Sequence, residues 1–91
     1  MAEVIVYSTG FCGFCVRAKD LLERRGIAFT EVMVDRDPAA RAIMEQRCGG
    51  CRTVPQIFIG ETHVGGYREL SQLDRDGKLE QLVAAAQTAT R

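Results

Sequence analysis

A chain of 91 residues, 46% apolar and 26% charged, can bury one core and is too rich in apolar residues to stay disordered, so a single domain over residues 1–91 is expected. Twelve basic residues balance twelve acidic ones, which leaves no electrostatic footprint for nucleic acid or an anionic membrane. No apolar run approaches the ~20 residues of a membrane-spanning helix.

The first residues, Met1-Ala2-Glu3, offer neither a basic n-region nor a cleavage site. A reducing cytoplasm is therefore the expected compartment. The four cysteines then point to redox chemistry or a metal site rather than to a disulfide framework. Val4-Ile5-Val6-Tyr7 is a continuous β-rich run that suits a strand buried on both faces, and Ser8-Thr9-Gly10 breaks it. A helix is predicted from about Gly13 to Arg25, with Phe14, Ala18, Leu21 and Leu22 as its buried stripe and Arg17, Glu23, Arg24 and Arg25 on a solvated face. Gly26 stands just past its end, where a left-handed cap costs least. Phe29 to Val34 reads as a second strand, and strand-helix-strand in so short a span predicts a right-handed, parallel βαβ unit.

Asp37 and Pro38 announce the next helix as N-cap and first helical residue, with Ala39, Ala40, Ile43, Met44 and Arg47 at helical spacing, and Gly49-Gly50 stops it. Gln56 to Ile59 and Thr62 to Val64 flank Gly60-Glu61 as a hairpin. His63, the one histidine, belongs to that hairpin, and Met33 and Met44 read as core filler. Two short helices complete an α/β chain of order β-α-β-α-β-β-α-α, with Leu70 and Leu73, then Leu79, Leu82 and Val83, on their apolar faces. The alanine-rich end from Ala84 to Arg91 is expected to fray.

Cys12-Gly13-Phe14-Cys15 lies where a buried strand feeds a helix N-terminus. Unpaired N–H groups and a partial positive charge there favour a thiolate over a thiol, so Cys12 is the candidate nucleophile. Cys15, a turn deeper, is placed to resolve a substrate from Cys12 by forming a Cys12–Cys15 disulfide. The competing reading is zinc, because a second C-x2-C follows at Cys48 and Cys51. The intervening 32 residues exceed the ~15–20 of zinc ribbons, whose knuckles also sit on hairpins, so thiol exchange is favoured.

These residues also carry a resemblance. The run from Val6 to Cys15, continued by Arg17-Ala18-Lys19-Asp20-Leu21-Leu22, resembles the opening of bacterial-type glutaredoxins. Arg52-Thr53-Val54-Pro55-Gln56-Ile57-Phe58-Ile59 resembles their T-V-P-Q-I-F-I segment, and His63-Val64-Gly65-Gly66-Tyr67 their H-I-G-G turn. The likeness runs from about residue 3 to residue 83. It implies the thioredoxin fold, with a four-stranded mixed sheet of order 2-1-3-4 flanked by helices, and a cis peptide before Pro55, where the sequence alone favours trans.

The resemblance further implies a glutathione-dependent oxidoreductase, with glutathione as co-substrate and glutathionylated or disulfide-bonded proteins as partners. Phe14, Arg52, Thr53, Val54, Pro55, Gly66, Tyr67 and Arg68 would line the glutathione groove. The chain would act as a monomer. The alternative function is cluster storage, transfer or sensing by a dimer that shares a [2Fe–2S] cluster through Cys12 and glutathione. Gly13-Phe14 supports it, since C-G-F marks the monothiol relatives, in place of the usual C-P-Y-C.

Three further departures matter. Ser8 stands where many relatives carry a lysine that reaches toward the thiolate, so its stabilisation would rest more on the helix N-terminus, with Arg52 or another nearby basic residue as the substitute charge. Arg68 replaces one of two acidic residues after the G-G turn. Cys48-Gly49-Gly50-Cys51 is a second cysteine pair beside Pro55. Two free thiols, a second disulfide, a glutathionylation site and extra cluster ligands all fit that last pattern.

Overall fold

β1 (Val4–Ser8) occupies an inner position of a four-stranded sheet in the order β2-β1-β3-β4, in a computed structural model that describes residues 4–89. β2 (Thr30–Met33) runs parallel to β1, and β3 (Gln56–Ile59) antiparallel to it. β4 (Thr62–Gly65) closes the hairpin with β3. Four helices complete the chain: α1 (Gly13–Arg24), α2 (Pro38–Arg47), α3 (Tyr67–Arg75) and α4 (Leu79–Ala89). The thioredoxin fold and its strand order are therefore as expected.

The alternation of a pleated strand sorts the apolar residues into two cores. Val4 and Val6 of β1 join Ile57 and Ile59 of β3 on one face, under Ala18, Leu21 and Leu22 of α1, Leu70 of α3 and Leu79 of α4. Tyr7 and Phe58 face the other way and meet Val34, with Ala40 and Met44 of α2. Ile5, Val32, Cys48, Cys51 and Val54 border this second core.

Local signals place the helix ends. Asp37 caps α2 by accepting from the Ala39 and Ala40 N–H groups at 3.1 Å, with Pro38 in the first turn as predicted. Several expectations need correction. Phe14 does not belong to the buried stripe of α1: it is 58% exposed, and Cys15 takes the place at the head of that face. Phe14 has the angular position of the stripe, four residues before Ala18 and seven before Leu21, but in the first turn of α1 that side of the helix meets Tyr67 of α3 and not the core.

Arg25 is not simply solvated. Its guanidinium makes a two-pronged pair with Asp74 at 2.7 and 2.9 Å, tying the end of α1 to α3. The second strand is shorter than predicted, with Phe29 and Val34 just outside it. The alanine-rich segment is helical from Ala84 to Ala89 as part of α4, alanine being the best helix former and Leu79 anchoring the first turn in the core. Residues 90 and 91 of the end expected to fray lie outside the described residues.

At the carboxyl end of β1, Ser8 is fully buried and donates to the Glu31 carboxylate, which Lys19 also engages at 2.7 Å. These contacts, led by the Lys19 hydrogen bond, hold the Glu31 carboxyl below its ordinary range. A carboxylate depressed in the folded state stabilises above its unfolded pKa and loses that contribution as pH falls through the folded value. Glu31→Gln is expected to lower the melting temperature at pH 7, with the difference from wild type vanishing in the acid range below pH ~4. Thermal melts across pH test this; a difference independent of pH would refute it.

Candidate active site

The turn after β1 sets the position of Cys12. The Gly10 N–H donates to the Asp35 carboxylate at 3.0 Å, which ties the turn to the segment after β2. Cys12 is then the N-cap of α1, with extended backbone angles (φ −130°, ψ 107°). Its sulfur accepts the Cys15 N–H at 3.2 Å, the bond a capping side chain makes to an orphan amide of the first turn. Cys12 is free and half-buried. As a thiol it can donate to the Val54 carbonyl, 3.6 Å away.

Cys15 is free too, but only 1% exposed. Burial pushes its thiol up to about 12, helped by its hydrogen bond with Cys12 and opposed by a backbone hydrogen bond from Thr9 and by the Lys19 charge. One sulfur is thus reachable and held by a helix N-terminus, while the other is a protonated thiol beneath it.

The wall beside Cys12 is the segment before β3. The Val54–Pro55 peptide is cis, as the resemblance implies and against the sequence-only preference. Buried Gln56 donates to the Thr53 carbonyl at 2.9 Å and to its hydroxyl at 3.1 Å, and its carbonyl oxygen lies 2.7 Å from His63 Nε2. His63 therefore has the hairpin role expected of it, stacked on Phe58 with ring centroids 4.7 Å apart.

The opposite wall is the start of α3. Glu69 accepts the Gly66 N–H at 2.8 Å, so the N-cap amide is already satisfied from within. Gly65 must be glycine here: its φ is +115°, and a Cβ would meet Glu69 Oε1 at 2.9 Å. Phe14 lies against Tyr67 (centroids 6.2 Å apart, planes at 28°), and the Arg17 guanidinium covers Phe14 at 5.5 Å. A cavity of about 410 Å³ opens along this wall, lined by Phe14, Gly66, Tyr67, Arg68, Glu69, Ser71 and Arg75.

Of the residues singled out by sequence, Cys12, Cys15 and Val54 meet at the sulfur, and Pro55 follows as a buried residue. Phe14, Gly66, Tyr67 and Arg68 line one cavity. Thr53 and Arg52 stand exposed at the rim. The Arg52 carbonyl accepts from Arg41 at 3.2 Å, and among the described residues its guanidinium has no partner. Ser8, which stands where a lysine was looked for, is committed to Glu31 and reaches no ligand surface.

Sequence reasoning missed Glu69, Ser71 and Arg75. The Gly66-x-x-Glu69 spacing resembles a capping box, and Arg75 follows Arg68 by two helical turns on one face, so both signals were present. Among the described residues no group of three or more His, Cys, Asp or Glu side chains is arranged to hold a metal ion. The accessible thiol at the site is that of Cys12. Cys48 and Cys51 are bonded to each other as a disulfide and are not at hand as ligands.

A glutaredoxin family model matches residues 4–64. The chain is 48% identical over 85 residues to a glutaredoxin of Pseudomonas aeruginosa, covering 93% of this chain and all of that one. The chain belongs to the glutaredoxin family. It is also 43% identical to glutaredoxin 3 of Escherichia coli, over 91% of this chain and 99% of that one. Among solved structures it resembles a buckwheat glutaredoxin–glutathione complex (TM-score 0.83, 33% identity, 93% of this chain and 79% of that one). It is similar too to glutaredoxin from Brucella melitensis (TM-score 0.78, 46% identity, 91% and 89%). Glutaredoxins are thiol oxidoreductases, and this chain is one of them.

The contrast between the two sulfurs yields a direct test. Under brief treatment of the reduced glutaredoxin with iodoacetamide from pH 6 to 9, Cys12 is expected to be alkylated and Cys15 spared, as read by peptide mapping. Equal modification of both would contradict the buried, protonated state of Cys15.

Proposed function

We propose that this glutaredoxin reduces protein–glutathione mixed disulfides and protein disulfides with glutathione as reductant, through Cys12 as nucleophile and Cys15 as resolving thiol. The observation that carries the reading is the Cys12 sulfur itself: free, accessible, bonded to an N–H of the first turn of α1, and 3.6 Å from the backbone of a cis-proline segment. That a similar chain from buckwheat is known in complex with glutathione supports the choice of thiol. The cytoplasm, where glutathione is held reduced, is the compartment this activity requires.

The Cys12 thiolate attacks the glutathionyl sulfur of the mixed disulfide. A new Cys12–glutathione bond forms, the old disulfide breaks, and the protein thiolate leaves and takes a proton. A second glutathione thiolate then displaces Cys12, releasing glutathione disulfide. Cys15 offers a second route, by giving up its proton, attacking the Cys12 sulfur and expelling glutathione. Deglutathionylation needs only Cys12 and a second glutathione, and Cys15 serves protein disulfides, where the bound partner has to be expelled from within.

Glutathione would extend from the Thr53-Val54-Pro55 wall to the start of α3. Its γ-glutamyl carboxylate suits the N–H groups of Tyr67 and Arg68 and the Arg68 charge. Phe14 and Tyr67 provide the apolar wall of that cavity.

Cys12→Ser is expected to lower turnover of a glutathionylated peptide by about 10³-fold or more. Cys15→Ser should keep at least half of that activity while losing reduction of protein disulfides. Wild-type-like rates in Cys12→Ser would overturn the assignment. Phe14→Ala removes an apolar ring of the cavity wall that bound glutathione would cover; losing about 1 kcal/mol of that contact raises KM roughly fivefold with kcat little changed. Steady-state kinetics separates the two; a fall in kcat alone would place Phe14 in the chemistry instead.

A further inference from the structure

We infer that Cys48 and Cys51 form a second thiol–disulfide exchange site, whose opening and closing sets the shape of the wall beside Cys12. The two sulfurs are bonded across Gly49-Gly50, with the Cα atoms 5.7 Å apart. Cys48 is the C-cap of α2, and Cys51 is three residues before Val54, whose carbonyl faces Cys12. The bond therefore joins the end of a helix packed in the second core to the start of the groove segment.

The backbone is built for this ring. Gly49 and Gly50 have φ of +73° and +102°, where L side chains are strained, although a Cβ at either would meet nothing. Glycine is needed there for the path of the chain and not for space. The Gly50 N–H closes the helix end on the Glu45 carbonyl at 2.7 Å.

Cross-linking stabilises by the loop entropy it removes from the unfolded chain, and a ring of four residues removes less than a longer loop would. Both cysteines are only half-buried, within reach of a small thiol. The opened state is also accommodated, because Cys48 Sγ lies 2.9 Å from the Met44 carbonyl, to which a thiol can donate.

The exchange balances with glutathione as reductant. Its thiolate bonds to one sulfur of the pair, the Cys48–Cys51 bond breaks, and the other sulfur leaves and is protonated. A second glutathione thiolate takes the first as glutathione disulfide. Two thiols remain on the chain, two electrons having passed to it.

In the closed form the segment from Cys51 to Pro55 is fixed at its start by the disulfide, then by Arg41 on the Arg52 carbonyl and Gln56 on the Thr53 carbonyl. Opening the pair removes the covalent anchor and leaves the two hydrogen bonds. A ligand that needs Thr53 and Val54 in place must then order them itself, which weakens binding. This effect on affinity rests on the glutathione groove proposed above.

The test uses the full chain as a Cys12→Ser/Cys15→Ser variant, in which the second pair is the one redox couple. It is titrated in glutathione and glutathione disulfide buffers with mass mapping. Binding of S-methylglutathione, which cannot reduce the pair, is then measured on both forms by calorimetry. Amide hydrogen exchange of residues 52–56 is followed in parallel. Closure within the buffer range is expected, with binding about threefold or more weaker and exchange faster once the pair opens.

Cys48→Ser in the same background should bind as the opened form whatever the buffer. Thiols that persist under full oxidation overturn the inference, as do equal affinities of the two forms. If neither form binds the ligand, the glutathione groove fails, and hydrogen exchange alone decides the coupling: unchanged protection of residues 52–56 overturns it.

Discussion

The bond from the Cys15 amide to the Cys12 sulfur, 3.2 Å long, is the constraint around which the site is organised. It exists because β1 delivers the chain to the start of α1 with Cys12 still extended and Cys15 already helical. That junction is rigid for a reason of packing. Val4 and Val6 below it and Cys15, Ala18 and Leu22 beside it are all buried, so the strand and the helix cannot shift relative to one another without opening the core. The helix then presents its unpaired N–H groups to one sulfur and shields the other.

The difference between the two cysteines follows from burial. Three residues apart in sequence, they differ in access because the apolar stripe of α1 begins at Cys15. The same burial that makes Cys15 an unreactive thiol places it within reach of Cys12, which suits a group called upon once Cys12 has been loaded. The remaining walls are contributed by hydrogen bonds that cross elements. Gln56 holds Thr53 and meets His63 on β4, and Glu69 holds the start of α3 against the turn after β4.

Charge around the site is distributed differently from what a lysine at position 8 would provide. Ser8 is buried and bonded to Glu31, and Lys19 is drawn to the same carboxylate. The cations that remain facing the cavity are Arg68 and Arg75, on the side of α3 away from the sheet. The positive charge therefore lies along the cavity wall of α3, and the electropositive group against the Cys12 sulfur is the N-terminus of α1.

Most of the elements were legible in the residues because their signals are local. Asp37-Pro38 marks a helix start, and the unbroken run Val4 to Tyr7 marks a strand covered on both sides. The C-x-x-C at the head of a helix, with the glutaredoxin likeness of its surroundings, points to thiol exchange from the sequence alone. The sequence alone could not decide matters that depend on long-range contact. Phe14 reads as a core residue because its spacing fits the stripe, and only the packed helix shows it turned toward Tyr67. Arg25 reads as a surface charge until α3 brings Asp74 against it. Cys48 and Cys51 could be thiols, ligands or a disulfide by spacing. The path of the chain through Gly49 and Gly50, set by where α2 ends and β3 must begin, is what brings the two sulfurs together.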